Sequence, residues 1–482
     1  MRSIWNFRRY VGRIRVLLSS AIGLPLILTA QTVDVNDLRA RAEKGDSKSQ
    51  LSLGMVYYLG QGVLQHHGEA AKWFRMAADQ GDVAAQKNLA VMYYHGQGVA
   101  QSDVEAAKWY RRAAEKGDTS SQNELGVLYA AGQGVSRDAS EAARWFRKSA
   151  EGGNAIGQKN LAVMYLTGQG TSQDLAEAAQ WFRKSAEQGL AQAQNEIGRM
   201  LLGGLGVKAD PVESVSWFRK AAEQDDLTAQ NNLGLIYYLG QGVAVDDEEA
   251  LKWFRKAADR GAAQAIYYLG LMYANGRGVS KDSVEAAKFF RSAADLGNIL
   301  AQNQIGWMSE HGQGVETDEV EAVKWYKKAA EAGYSMAQYN LGVMYKNGRG
   351  GDANPAKSAE WFQKAADLGH PFAQNEVGWL YERGQGVEKD QTKAVEWYKR
   401  SAEQGFHLAQ QNLGILYFSG NGLEKDLVEA YKWFNLAATQ GNTNSVASRQ
   451  VITQQMTTDQ LNEGQRRAAE FLEKRSTRTP QN

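Results

Sequence analysis

Tryptophan recurs in this chain on a fixed beat. Trp73, Trp109, Trp145, Trp181, Trp217 and Trp253 are followed by Phe289, then Trp325, Trp361, Trp397 and Trp433, each 36 residues after the last. A glycine series keeps the same interval from Gly45 to Gly441, with Asp225 standing in for one member. Eleven units therefore run from Asp46 to Gly441 without an insertion. A period between about 20 and 50 residues marks a solenoid, propeller or array, whose units bury their apolar faces on each other. Length alone, at 482 residues, would have suggested about three domains of ~150 residues; the repeat overrides it.

One unit shows what its residues dictate. In Asp118–Gly153, Gln122, Leu125, Gly126 and Tyr129 fall on one helical face. Gly132-Gln133-Gly134 breaks that helix. Asp138 opens a second one, with Glu141 at capping-box spacing. Its apolar face is Ala142, Trp145, Phe146, Ser149 and Ala150, and Gly153 ends it. The prolines test the phase. Pro211, Pro355 and Pro371 each fall on a first helical position, where the missing N–H costs nothing. Each unit is helix–turn–helix, and helices this short are marginal alone. A mid-helix glycine, such as Gly54, Gly126 or Gly378, recurs despite costing ~1 kcal/mol against alanine. It makes room for a large neighbour, expected from the Trp-bearing second helix.

The ends differ from the array. Residues 1–30 carry five arginines and no acid ahead of the 15-residue apolar run Val16–Ala30. That run is short for a spanning helix, which needs ~20 residues, and suits a signal peptide, with an uncleaved anchor as the other reading. Residues 31–45 read as an N-terminal capping helix and 442–475 as C-terminal capping helices, with Thr457 and Gln460 a capping box. Residues 476–482 are expected to be a disordered tail.

The consensus AQNxLGxMYxxGxGVxxDxxEAxKWxRKAAEQG resembles the Sel-one-like repeat, a relative of the tetratricopeptide repeat, over residues 46–441. The fold expected is all-α: an α/α solenoid of eleven 36-residue helix–turn–helix repeats with helical caps. The resemblance implies a right-handed superhelix with a concave inner wall made by the first helix of each unit.

Composition narrows the function. A net charge of +1 lacks the cationic field a nucleic-acid binder relies on. With no cysteine there is no disulfide, thiolate metal site or cysteine nucleophile. No catalytic, phosphate-loop or metal motif is present, so no cofactor is expected and the chain reads as no enzyme. Enzymatic action on peptidoglycan or β-lactams is a remote alternative; it comes from cysteine-rich relatives whose disulfides this chain cannot form.

The inner-wall columns hold the candidates. Asn123, Asn195, Asn231, Asn303 and Asn375 form one column; Asn88, Asn160, Asn232, Asn340 and Asn412 adjoin it. Two readings fit: amides that hold the backbone of an extended peptide, or hydrogen bonds between repeats. A third, apolar column includes Trp307 and Trp379, outside the tryptophan beat, with Glu310 and Glu382 three residues on and Arg383 beside the latter. Tryptophan and arginine are common interface anchors. The candidate partner-binding residues are Asn231, Asn303, Trp307, Glu310, Asn340, Asn375, Trp379, Glu382 and Arg383. The expected function is a scaffold or adaptor in the bacterial cell envelope, periplasmic by preference, that takes a protein or peptide on its concave surface. A surface or secreted virulence factor binding a host protein such as immunoglobulin is the alternative. The mature chain is expected not to span a membrane.

Overall fold

The computed structural model describes residues 34–478. The proposed signal segment and residues 479–482 lie outside them. Among the described residues there are α-helices and no strand. The chain divides into two compact units, up to Trp253 and from Phe254.

In the first unit the helix Val35–Glu43 precedes the array. Helix pairs then follow from Ser47–Leu59 with His67–Asp79 onward. The second unit runs from Ala263–Asn275 with Ser283–Asp295 to His407–Ser419 with Leu427–Ala438. It closes with Thr443–Thr453 and Thr458–Arg478. Residues 476–478, expected in a tail, continue that last helix. Thr457 and Gln460 exchange both capping bonds, at 3.0 and 3.2 Å. Phe471 then packs edge-on to Trp433, covering the end of the array.

The capping box inside the repeats is only half made. The Asp side chain accepts from the helix N–H groups, as Asp174 does from Glu177 at 3.0 Å. The Glu does not reach back, because the Asp N–H is already bonded to the first helix: Asp174 N–H donates to Tyr165 O at 3.0 Å. In some repeats the freed glutamate serves its tryptophan instead. Trp181, Trp217 and Trp253 donate their indole N–H to Glu177, Glu213 and Glu249 at 2.9–3.1 Å. In others, as at Glu105 and Glu141, it pairs with Lys108 or Arg144 and the indole N–H of Trp109 or Trp145 has no partner.

Two glycine positions lock the packing. The mid-helix glycine faces a ring, but not the tryptophan: a Cβ on Gly126 would meet Phe146 at 2.7 Å, and one on Gly378 would meet Tyr398 at 2.8 Å. The residue after the tryptophan is therefore the buried core ring, and Phe146, Phe182 and Phe218 are nearly inaccessible. Each such burial is worth about 1.5–3 kcal/mol. The second glycine of the turn sits at positive φ against the preceding repeat. At Gly170, φ is +69° and a Cβ would lie 1.9 Å from the Ala139 carbonyl oxygen.

A glutamine in every first helix but Ala263–Asn275, which has Ile266 there, joins consecutive helices. Gln50, Gln86, Gln122 and Gln158 each donate to the carbonyl near the end of the preceding helix, at 3.0–3.3 Å. Where the same repeat ends its second helix with Gln, that side chain satisfies the other side of the amide. Gln80, Gln188, Gln224 and Gln404 donate to Gln50, Gln158, Gln194 and Gln374 at 2.7 Å. Where it ends with Lys116, Gly152, Arg260, Ala332 or Leu368, the buried Oε1 of Gln86, Gln122, Gln230, Gln302 or Gln338 has no partner.

Candidate functional site

The first helices carry every sequence candidate, and most of the polar ones are committed within the fold. Asn340 Nδ2 donates to Asn303 Oδ1 at 3.1 Å, and Asn412 to Asn375 at 3.0 Å. In the first unit Asn160 and Asn232 do the same to Asn123 and Asn195, at 2.8 and 2.9 Å. Of the two readings of the asparagine columns, hydrogen bonding between repeats is the one made. Asn231 differs: its Oδ1 is buried without a partner.

Glu310 and Glu382 are also held. Tyr326 donates to Glu310 at 2.6 Å and Tyr398 to Glu382 at 2.8 Å. Arg349 adds a bond to Glu310 at 2.5 Å. These two repeats place Tyr where the core ring is usually Phe, and the carboxylate sixteen residues earlier accepts the extra hydroxyl. Burial, then the carboxylate, raises Tyr326 far above the usual phenol range. The paired Tyr-for-Phe exchanges were a sequence signal for this role, and the sequence reading overlooked them.

Trp379 is half-buried, with the Lys346 ammonium 4.3 Å from its ring centre. Lys346 is in turn paired with Glu376 at 2.6 Å. Trp307 stays 38% exposed, stacked on His311 at 4.7 Å. Arg383 is exposed. So of the nine candidates, Trp307 and Arg383 present the most free surface.

The structure adds residues that sequence reading passed over. Leu300, Phe372 and Leu408 are exposed, as is Ile415 of the apolar column. Leu300, Phe372 and Leu408 share the third position of their repeats, and Met336 completes the series. The same position reads Gln264 in the second unit's first complete repeat, and Lys48, Ala84, Ser120, Ile156, Gln192 and Thr228 in the first unit. That switch was visible in the sequence. Around Phe372 a chain of rings forms: Tyr339 stacks on His370 at 5.1 Å, and Phe372 meets Phe406 at 4.6 Å. The second unit thus exposes aromatic and aliphatic groups on the helices Ile299–His311, Pro371–Arg383 and His407–Ser419.

The first unit's first helices carry buried charge. Burial lifts the Glu124 carboxyl to about 7 and pushes the Lys159 ammonium down. Glu196 and Arg199 pair at 2.7 Å, nearly covered. Among the described residues no cluster of His, Asp or Glu has the geometry to hold a metal ion. None of their helices is long and apolar enough to cross a membrane.

The model of the Sel1 repeat matches eleven successive segments, from residues 47–82 to 407–442. The chain belongs to the Sel1 repeat family. The solenoid of this family is a protein–protein interaction fold and is typically non-catalytic. One similar solved structure is a protective antigen present in uropathogenic Escherichia coli strains, displaying an SLR fold. It is 35% identical, with 92% of this chain and 95% of that one covered and a TM-score of 0.74. A Sel1 repeat protein from Oxalobacter formigenes is 32% identical over 64% of this chain and 89% of its own, with a TM-score of 0.52. No curated protein matches the chain.

Proposed function

We propose that this Sel1 repeat protein is an exported bacterial scaffold that takes a protein or peptide on the first-helix wall of its second unit, the side that the family resemblance makes concave. The observation that carries the proposal is the exposure of Leu300, Trp307, Phe372, Leu408 and Ile415 on the first helices of the eighth, tenth and eleventh repeats. Scattered exposed apolar residues are ordinary on a protein surface; apolar groups aligned on one face are a feature of interaction sites. Trp307 and Arg383 belong to residue types that anchor interfaces. The asparagines and the two glutamates shape this wall from within.

Export rests on residues 1–30, and a chain beginning near Gln31 in the periplasm, on the surface or in the medium is the expected mature form. Similarity to a protective antigen supports the envelope or surface reading, with a host protein such as immunoglobulin as the alternative partner. Mass spectrometry of the mature N-terminus on fractionated cells tests export; an intact Met1 in the membrane fraction refutes it.

Site-specific photocross-linking tests the surface. A benzophenone amino acid at positions 372, 408 and 415 is expected to give discrete adducts, identified by mass spectrometry. The same group at exposed Glu360 and Glu396, on second helices, is expected to give none. Equal labelling from both sets, or adducts from the second helices alone, refutes the assignment.

A further inference from the structure

The helix Pro371–Arg383 carries Phe372, Trp379 and Arg383, and its N-cap residue is a histidine. In six other first helices that place is held by Asp or Asn, as at Asp118, Asn154 and Asn298, while Leu190, Ala262, Tyr334 and Phe406 leave theirs without a side-chain cap. The Asp and Asn caps accept an N–H bond over a wide range of pH. His370 accepts the Ala373 N–H through its ring Nδ1, at 3.3 Å. A ring nitrogen accepts only when it carries no proton. His370 is also 9% exposed, with Tyr339 stacked on it and Phe372 meeting it edge-on at 5.5 Å.

We propose that His370 is an acid-released latch: its protonation uncaps the helix Pro371–Arg383 and loosens the aromatic surface that this helix presents. The inference rests on the binding surface argued above and supplies its regulation. Protonation does three things at once. It removes the acceptor, it puts a positive charge at the positive end of a helix dipole, and it charges a ring packed among other rings. The groups facing the ring do not offset this. Tyr339 approaches from the helix Ser335–Asn347 and is itself held neutral by burial. His407, on the next repeat, lies beyond Phe406 and adds no negative charge. Glu376, on the same helix as the cap, is engaged by Lys346 at 2.6 Å. Burial is the cause that shifts the His370 titration, and it lowers it. The unfolded chain therefore takes up the proton more readily. The stabilising contribution is complete above the ordinary histidine pKa, about 6.5, and is lost as pH falls through it toward the lower folded value.

The test is hydrogen exchange of the full mature chain at pH 7.5 and 5.0, corrected for intrinsic rates and compared with His370→Asn. Asparagine keeps the cap, as Asn298 shows at the same position with a 2.9 Å bond, and cannot titrate. Between the two pH values, residues 371–383 of the natural chain are expected to lose protection by about fivefold relative to the variant, the size of one N-cap. A ratio that does not change with pH overturns the latch. Photocross-linking yield at position 415 is read in the same samples and is expected to fall at pH 5.0 only with His370 present. If protection falls but the yield does not, the latch stands and the binding surface is in the wrong place. His370→Gln, which cannot reproduce the short cap, is expected to resemble the acid state at both pH values.

Discussion

The unpaired glutamine carbonyls give a stability prediction that the chain itself calibrates. In Ala332→Gln/Leu368→Gln the new side chains would sit where Gln224 and Gln404 sit, and both of those donate at 2.7 Å to the glutamine thirty residues earlier. They would reach the buried Oε1 atoms of Gln302 and Gln338, which have no partner now. A net hydrogen bond is worth about 0.5–1.5 kcal/mol, and more when it rescues a buried orphan. Ordering a partly exposed glutamine offsets part of that, up to ~1.5–2 kcal/mol if its freedom were wholly lost. Leu368 is 59% exposed, so replacing it forfeits little apolar burial. The expectation is a gain of roughly 0.5–1 kcal/mol per site. The reverse change, Gln404→Ala, should cost about 1–2 kcal/mol, because it orphans Gln374 and removes a bond to Gly369 O at 3.0 Å. Solenoids unfold by nearest-neighbour steps, so one global free energy is the wrong readout. Native-state hydrogen exchange of the helix that ends at each substitution and of the helix that carries its glutamine partner isolates the local effect. If the double variant gains nothing while Gln404→Ala is neutral, water already satisfies these carbonyls and the reasoning fails.

Three further outcomes follow from the packing and the charges. Gly170→Ala should cost more than about 3 kcal/mol, since positive φ adds to a collision with the Ala139 carbonyl oxygen. Gly153→Ala, with φ of +87° and no atom within 4 Å, should cost only about 1–2 kcal/mol, both costs being read by native-state hydrogen exchange of the flanking helices. Tyr398→Phe should destabilise its repeat by about 1–2 kcal/mol by leaving the half-buried Glu382 without its donor. Adding Glu382→Leu should recover most of that, as Leu166 packs with Phe182 in the fourth repeat; additive losses in the double-mutant cycle would rule the coupling out. Glu124, lifted to about 7 by burial, binds its proton more tightly folded than unfolded. The wild-type chain should therefore lose stability as pH rises from ~4.5 through 7 at this site, and Glu124→Gln should flatten that slope in hydrogen exchange of the helix Thr119–Ala131, corrected for intrinsic rates. An unchanged slope would mean that Glu124 ionises as an exposed carboxylate does.

Much of the fold was legible because the repeat fixes phase eleven times over. Tryptophan, glycine and proline each marked a different point of the unit, and none conflicted. What escaped was which side chains compete for one partner. Spacing alone suggested a reciprocal Asp–Glu box, but the Asp N–H is consumed by the turn and the glutamate turns to its tryptophan or to a neighbouring Lys or Arg. The identity of the large ring over the mid-helix glycine was likewise hidden, because Trp and Phe are adjacent and only the backbone direction separates them. The candidate surface was half legible. Polar residues in a column look free until the neighbouring repeat is placed beside them, and then Asn340 and Asn303 prove to be bonded. Glu310 and Glu382 drew attention through nearby tryptophans, although their partners, Tyr326 and Tyr398, lay sixteen residues on in the second helix. The apolar series Leu300, Met336, Phe372 and Leu408 could have been read by comparing one position across all repeats.

The central claim is that the second unit's first-helix wall binds a protein. The direct measurement is the affinity of the partner identified by cross-linking for the natural chain and for Phe372→Ser/Leu408→Ser/Ile415→Ser, with circular dichroism on both. All three side chains are exposed, so helix content should hold. Losing buried contacts of about 1 kcal/mol or more each should weaken binding at least 100-fold. Unchanged affinity in a folded variant would contradict the account.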